Sequence, residues 1–131
     1  QPSNDNGGFS QGRPWLPVAS EHLSMSVAAQ ENDPAGLLHH YRKVIQLRQS
    51  HPALAVGEHD ALQTNGDVLS FTRQQNDQKI LCVFNVSDGE SDFVLPQGEW
   101  LPIGAELDSA QIPNDGTLRL GPWQVCLAIK R

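Results

Sequence analysis

The fold is decided by residues 79–86, which read KILCVFNV. Apolar side chains occupy both sets of alternating positions in this run, and its β-branched and aromatic residues favour a strand. A strand that is apolar on both faces is expected in the middle of a sheet, with a layer on each side. Residues 123–129, WQVCLAI, have the same character and predict a second buried strand.

Further strand-like segments surround these two and are separated by turn-forming dipeptides. Asn65-Gly66, Asp88-Gly89 and Asp115-Gly116 supply the positive φ angles that tight hairpins require, so neighbouring strands should be antiparallel. From residue 53 onward the sequence predicts a mainly β domain, an antiparallel sandwich or Greek key of about 6–8 strands. The remaining predicted strands are residues 68–73, 93–95, 100–103 and 117–120.

One amphipathic helix precedes the strands and is predicted over residues 33–50. Asp33 is a favourable N-cap, Pro34 suits the first helical position, and His51-Pro52 ends the helix because the residue before a proline avoids helical angles. A helix of this length is marginal in water unless its apolar stripe is buried. Either the stripe covers one face of the sheet, or its partner lies outside this chain. The stripe follows 3.6-residue spacing and consists of Leu37, Leu38, Tyr41, Val44 and Ile45.

Length and charge exclude several classes of protein. The chain has 131 residues, whereas a complete (β/α)8 barrel takes roughly 250. Its net charge of −6 gives no basic surface for nucleic acid. No run of about 18 apolar residues predicts a membrane span. We therefore expect neither a nucleic-acid partner nor a membrane.

The segment before the helix, residues 1–32, is polar and rich in turn-forming residues. Within it, residues 13–18 read RPWLPV. The two prolines hold the backbone extended around apolar side chains. Residues 13–18 are therefore predicted to lie along a neighbouring surface as a docking strap, without regular structure of their own.

Residues able to carry chemistry are present but do not form a recognisable site. His39 and His40 are adjacent on the predicted helix, so their side chains point about 100° apart and cannot share a metal. The carboxylates lie mostly in turns, whereas general acid–base catalysis needs a pair held about 5–9 Å apart in a pocket. Cys82 and Cys126 lie on predicted strands and are interpreted as buried, inert thiols. The sequence predicts no catalytic pair, no metal site and no cofactor.

The tryptophans are the remaining candidates for ligand contact. Trp15, Trp100 and Trp123 would be sugar-stacking platforms if their rings were exposed on one face of the sheet. A proline lies within two residues of each, which favours the alternative that they pack at sheet edges or at a seam between domains. Trp100 and Trp123 are kept as the candidate sugar contacts.

Residues 7–18, GGFSQGRPWLPV, resemble the segment that follows the eighth barrel strand in glycoside hydrolase family 13, in its α-glucosidase and oligo-1,6-glucosidase group. The resemblance is strong as far as Gly57 and looser through the later strands. It also covers residues 27–34, 38–48, 51–54, 81–87 and 122–123.

The resemblance implies that residues 1–52 are the end of a catalytic barrel, comprising a loop strap and the last barrel helix. Residues 53–131 would then be the C-terminal antiparallel β domain. Enzymes of this group are retaining, with an aspartate nucleophile, a glutamate acid/base and a further aspartate on barrel strands upstream of Gln1. No catalytic residue is therefore expected in this chain, and residues 8–10 would be a loop element on the side of the active site.

We expect the chain to be the C-terminal region of a retaining α-glucosidase that acts on oligosaccharides, with a stabilising role. The expected partners are the catalytic barrel that this chain lacks and, without the barrel, a second copy of the chain through the helix stripe. Oligosaccharides would be bound only through the whole enzyme. The two isolated cysteines favour a cytoplasmic location. The alternative is a stand-alone carbohydrate-binding β sandwich that uses Trp100 or Trp123.

Overall fold

The computed structural model describes residues 6, 10–107 and 109–131. Contacts divide the chain into two compact units, Gln1–Ile45 and Gln46–Arg131. Among the described residues, no helix is both long enough and apolar enough to span a membrane. The predicted domain boundary after residue 52 stays a prediction.

The second unit contains the β structure, and the predicted mainly β, antiparallel fold class is confirmed. A five-stranded sheet has the order β1-β2-β3-β7-β5, and β4 and β6 form a separate two-stranded sheet. Every pairing among them is antiparallel. The strands in the described part of the chain are β1 (Glu58–Asn65), β2 (Val68–Gln75), β3 (Gln78–Asn85), β4 (Ser91–Val94), β5 (Trp100–Ile103), β6 (Thr117–Leu120) and β7 (Val125–Lys130).

Both faces of the central strand β3 are packed against core residues, as the sequence of residues 79–86 predicts. On one face, Leu81 and Val83 of β3 share a core cluster with Leu118 of the smaller sheet. On the other face, Ile80 of β3 shares a second cluster with Leu47, near the end of the long helix. Burial of each such aliphatic side chain stabilises the fold by roughly 1.5–3 kcal/mol.

Three α-helices precede or adjoin the sheet in the described residues: α1 (Val27–Glu31), α2 (Leu37–Ser50) and α3 (Pro52–Val56). The predicted start of the long helix at Asp33 is wrong. The Asp33 carboxylate accepts a hydrogen bond from the Ala35 backbone N–H at 3.1 Å, and the Asp33 carbonyl accepts one from Gly36 at 2.9 Å. These bonds close a turn, a geometry that aspartate favours in competition with helix. Helix α2 ends at Ser50, as the His51-Pro52 pair predicts.

Three of these elements, α1, α3 and β1, were not expected from the sequence. The first residue of α3 is Pro52, and the Gln78 side-chain carbonyl accepts the Ala53 N–H at 2.8 Å. At the other end, Arg48 donates to the Leu54 and Ala55 carbonyls at 2.6 and 2.8 Å. Helix α3 is therefore capped at both ends by side chains from other elements.

The two edges of the larger sheet are irregular. Edge strand β1 has a register shift between Asp60 and Gln63, where Ala61 has a φ of 52°. The opposite edge is the four-residue strand β5, which contains Pro102 and therefore lacks one backbone donor. Each edge thus offers an interrupted row of hydrogen-bonding groups.

The first unit is organised around the connection from α1 to α2. The Gln30 side chain accepts the Leu38 N–H at 2.9 Å and donates to the Met25 carbonyl at 2.7 Å, so it caps the first turn of α2. Glu31 and Arg42 form an ion pair at 2.7 Å. The hydrogen bond from Arg42, and then its charge, lower the pKa of Glu31. A 3-10 helix, Ser20–Met25, precedes α1.

Candidate functional site

A tight turn at residues 121–124 presents one of the three tryptophans to solvent. The Gln124 N–H donates to the Gly121 carbonyl at 3.1 Å, which closes the turn. Pro122 occupies its second position, and Trp123, at the third, has a φ of 57°. A positive φ at the third position after a proline is the geometry of a type II turn, where glycine is favoured. The Trp123 residue is 69% exposed.

Asn85, at the end of β3, holds this turn in place. It is 3% exposed, and its amide nitrogen donates to the Gly121 carbonyl at 2.8 Å and to the Gly89 carbonyl at 2.6 Å. Its amide oxygen accepts from the Ser87 backbone N–H at 3.1 Å and from the Ser87 hydroxyl at 2.9 Å. The Trp123 N–H in turn donates to the Ser87 carbonyl at 3.0 Å. One buried amide therefore ties together the end of β3, the following loop and the Trp123 turn.

Trp100 is in a different environment. It is only 7% exposed, belongs to the core cluster between the two sheets, and donates from its indole N–H to the Pro96 carbonyl at 2.9 Å. An open cleft of about 350 Å³ borders it, with Ile112 and the polar side chains of Gln97 and Asn114 among its lining residues. Of the two predicted sugar contacts, Trp100 is therefore nearly buried, and Trp123 is the one whose side chain is accessible to a ligand.

The structure does not bring the two candidate tryptophans together. Trp100 pairs with Lys130 at the end of β7, whereas Trp123 lies just before Val125 at the start of that strand. Six residues of extended strand separate these ends, a span of roughly 17 Å. The sugar-contact assignment itself stays a prediction.

A second exposed feature is the apolar stripe of α2. Tyr41 is 59% exposed, and Leu37, Val44 and Ile45 are also exposed. In the same unit, residues 13–18 adopt neither helix nor strand, and Trp15 within them is 94% exposed. That this segment docks as a strap stays a prediction. Gly8 and Phe9, the start of the expected active-site loop element, lie outside the described residues.

Polar side chains that could carry chemistry are dispersed in the described part of the chain. Among the described residues, no group of three or more His, Cys, Asp or Glu side chains could hold a metal ion. The His39 ring nitrogen Nε2 lies 3.2 Å from the Glu31 carbonyl, and His51 Nδ1 lies 2.9 Å from the Leu47 carbonyl. The absence of catalytic residues from this chain stays a prediction.

Cys82 and Cys126 are buried free thiols, as predicted. Burial raises the pKa of Cys82 to about 12 and that of Cys126 to about 11, from an ordinary value of 9.0. The Arg73 charge opposes the shift at Cys82, and a hydrogen bond with Ser109 opposes it at Cys126, but burial outweighs both. Both groups are therefore protonated and unreactive near neutral pH.

The raised thiol pKa values predict a loss of stability in alkali. The folded state keeps the thiols protonated, whereas the unfolded chain releases these protons above pH 9, so their full contribution is present below pH 9 and declines as pH rises towards 11–12. The free energy of unfolding should fall by up to about 1.4 kcal/mol per pH unit for each thiol. Urea unfolding at pH 8 and pH 10 measures this slope. Replacing both thiols, C82A with C126A, should flatten it, and an unchanged slope would contradict the assignment.

Comparison with known proteins gives a consistent set of relatives. Residues 1–57 match the family model described as the alpha amylase catalytic domain. The chain is 43% identical over 118 residues to a probable alpha-glucosidase of Rhizobium meliloti (strain 1021), covering 90% of this chain and 21% of that protein. It is 30% identical over 128 residues to an oligo-1,6-glucosidase of Parageobacillus thermoglucosidasius, covering 92% and 22%.

Solved structures give the same result. The chain superposes on an alpha-glucosyl transfer enzyme with a TM-score of 0.84 at 34% identity, covering 95% of this chain and 23% of that one. It also superposes on an isomaltulose synthase mutant from Erwinia rhapontici NX5, solved with sucrose, with a TM-score of 0.76 at 31% identity, covering 98% and 24%. The chain spans about a fifth of the length of the curated relatives.

Proposed function

Because the chain belongs to the α-amylase family of glycoside hydrolases, we propose that it is the C-terminal region of a retaining α-glucosidase. In this proposal residues 1–52 complete the catalytic barrel and residues 53–131 form the domain that follows it. The match of residues 1–57 to the catalytic-domain family supports this division. The catalytic carboxylates lie on barrel strands outside this chain, and the role of the chain is to stabilise that barrel.

The exposed stripe of α2 carries the proposal. Leu37, Tyr41 and Ile45 recur on one side of the helix and are all at least half exposed. A helix in water is stabilised mainly by packing of its apolar face, and here only Leu38 of the five stripe residues is partly buried. A barrel wall that covered it would contribute roughly 1.5–3 kcal/mol for each large side chain.

The location and further partners are proposed on the same basis. The enzyme would act in the cytoplasm on α-glucosidic bonds of oligosaccharides, and sugar would reach the active site only in the whole enzyme. When the chain is isolated, the same stripe would pair with a second copy. A stand-alone carbohydrate-binding module is the competing function, and it requires no cover for α2.

The test compares the isolated chain with the longer enzyme read from the coding sequence upstream of Gln1. At a protein concentration at which the isolated chain is monomeric, Ile45→Asp should leave its melting temperature within about 2 °C, because Ile45 is half exposed in the single chain. In the longer enzyme the same change should cost about 3 kcal/mol or more, since it places a charge in the barrel interface. Gln46→Asp is the matched control, because Gln46 is the next residue on α2 and is exposed outside the stripe.

Two outcomes would contradict the proposal. One is equal tolerance of Ile45→Asp and Gln46→Asp in the longer enzyme. The other is an upstream sequence without a barrel, which would favour the stand-alone module.

A further inference from the structure

From the geometry of the 121–124 turn, we propose that Trp123 is a carbohydrate-binding platform for a glucosyl ring of an α-linked oligosaccharide. The proposal goes beyond the stabilising role of the chain. Its choice of glucosyl ligands rests on the proposed function, whereas its choice of residue rests on the backbone, the exposure and the support of the turn.

The first observation is the backbone conformation of Trp123. Four non-glycine residues among those described have positive φ angles: Asn6, Ala61, Asn76 and Trp123. Asparagine tolerates this region, and alanine is small, but for a bulky side chain the conformation is a true outlier. Glycine would adopt it without strain. Strained conformations persist where the surrounding structure enforces them, and they cluster at ligand-binding sites.

The second observation is that burial of the Trp123 side chain does not offset the strain of its backbone. Trp123 is 69% exposed, in contrast to the buried Trp100. Packing within the chain therefore explains Trp100 but does not explain why an indole is placed at the third position of this turn. An aromatic ring that is exposed and costly to place suits a residue that contacts a ligand.

The third observation is the rigidity of the support. The Asn85 side chain donates a hydrogen bond to the Gly121 carbonyl, and the Gln124 side chain accepts the Gly121 N–H at 2.9 Å. The Ser87 carbonyl accepts the Trp123 N–H. A ring mounted on a turn held at three points loses little conformational freedom on binding, which favours affinity.

The surroundings of the turn favour a sugar over an apolar protein surface. The loop hydrogen-bonded to Trp123 through Ser87 continues into Asp88 and Glu90, which are both exposed. Their carboxylates would be desolvated without partners under an apolar surface. A pyranose ring offers C–H groups to an indole face and hydroxyl donors to carboxylates, so a sugar suits both the exposed ring and the acidic loop.

The experiment titrates the full chain with maltotriose and isomaltotriose while recording tryptophan fluorescence. Trp15→Phe is the background, because it removes the other highly exposed indole and leaves Trp123 as the exposed reporter. We expect saturable quenching by at least one of the two sugars. Trp123→Gly should weaken binding about tenfold or more, measured by saturation-transfer NMR, and Trp123→Tyr should retain most of it.

Stability separates binding from packing. Trp123→Gly relieves the backbone strain, so the melting temperature of this variant should be no lower than that of the parent. A rise of about 2–8 °C is expected. Three results would overturn the proposal: no saturable binding by the parent chain, unchanged binding by Trp123→Gly, or a lower melting temperature of Trp123→Gly that Trp123→Tyr restores.

The two proposals fail separately. If the Trp123 proposal is wrong, the result of the Ile45→Asp comparison is unaffected, because that comparison depends on α2. Binding of cellotriose in preference to both α-linked sugars, with the same dependence on Trp123, would overturn the assignment to α-linked oligosaccharides. The barrel comparison would still decide the proposed function.

Discussion

Replacing Asn85 by aspartate should destabilise the second unit by at least about 3 kcal/mol at pH 7. The change removes the amide group that donates to the Gly89 and Gly121 carbonyls and sets a carboxylate against both oxygens. The Gly89 and Gly121 carbonyls would each lose this donor, and a negative charge would stand at a side chain that is only 3% exposed. Thermal unfolding followed by circular dichroism should show a melting temperature lower by more than about 10 °C.

The deficit of Asn85→Asp should depend on pH. Burial disfavours the charged form and raises the pKa of the introduced carboxyl, so the neutral acid, which can donate one hydrogen bond, is favoured as pH falls. The stability difference from the parent should therefore be smaller at pH 4 than at pH 7. Asn114→Asp is the matched control, since Asn114 is exposed and the same chemical change there should cost no more than about 0.5 kcal/mol. Equal effects at the two positions would show that Asn85 does not hold the turn.

Gly57→Ala should cost about 3 kcal/mol, although the φ of Gly57 is −66° and any residue can adopt it. The reason is space: a Cβ at this position would lie 2.4 Å from the Ala53 carbonyl oxygen and 2.7 Å from that of Gln74. Both contacts are with backbone atoms, which cannot rotate away as a side chain would. The chain must therefore separate α3 from β2 to admit one methyl group.

Urea unfolding of Gly57→Ala, with Gly89→Ala as control, measures this cost. A Cβ at Gly89 would meet only the Ser87 hydroxyl at 3.9 Å, so that change should be neutral within about 0.5 kcal/mol. Faster exchange of the Gly57 amide hydrogen, which is bonded to the Ala53 carbonyl at 3.1 Å, would locate the damage at the end of α3. A cost for Gly57→Ala as small as that of Gly89→Ala would contradict the close approach.

The sequence predicts the elements whose side chains follow a strong pattern. Residues 79–86 are apolar at both sets of alternating positions, and β3 is the central strand. The stripe of α2 has helical spacing, and His51-Pro52 marks its end correctly. Strand β1 was missed because all eight of its residues are exposed, so no alternation of apolar and polar residues marks it.

The parts that sequence reasoning missed depend on contacts between distant residues. Helix α3 is five residues long, and the side chains that cap it, Gln78 and Arg48, lie outside it, so its own sequence carries no sign of these caps. The role of Asn85 follows only once the chain folds back on itself, because Gly121, one of its hydrogen-bond partners, is 36 positions away in the sequence. Gly57 and the segment that contains Asn85 both lie within stretches that resemble glycoside hydrolase family 13. That resemblance was the signal in the sequence that pointed to these positions.

The irregular edges of the larger sheet bear on how this chain would behave at high concentration. A β-rich chain with an open, regular edge can recruit further strands and grow into cross-β fibrils. Here the register shift after Asp60 interrupts the hydrogen-bonding groups of β1, and the missing N–H of Pro102 interrupts those of β5. An added strand therefore cannot form a continuous hydrogen-bond ladder at either edge. Aggregates formed by this protein should accordingly keep native circular dichroism and fail to bind thioflavin dyes.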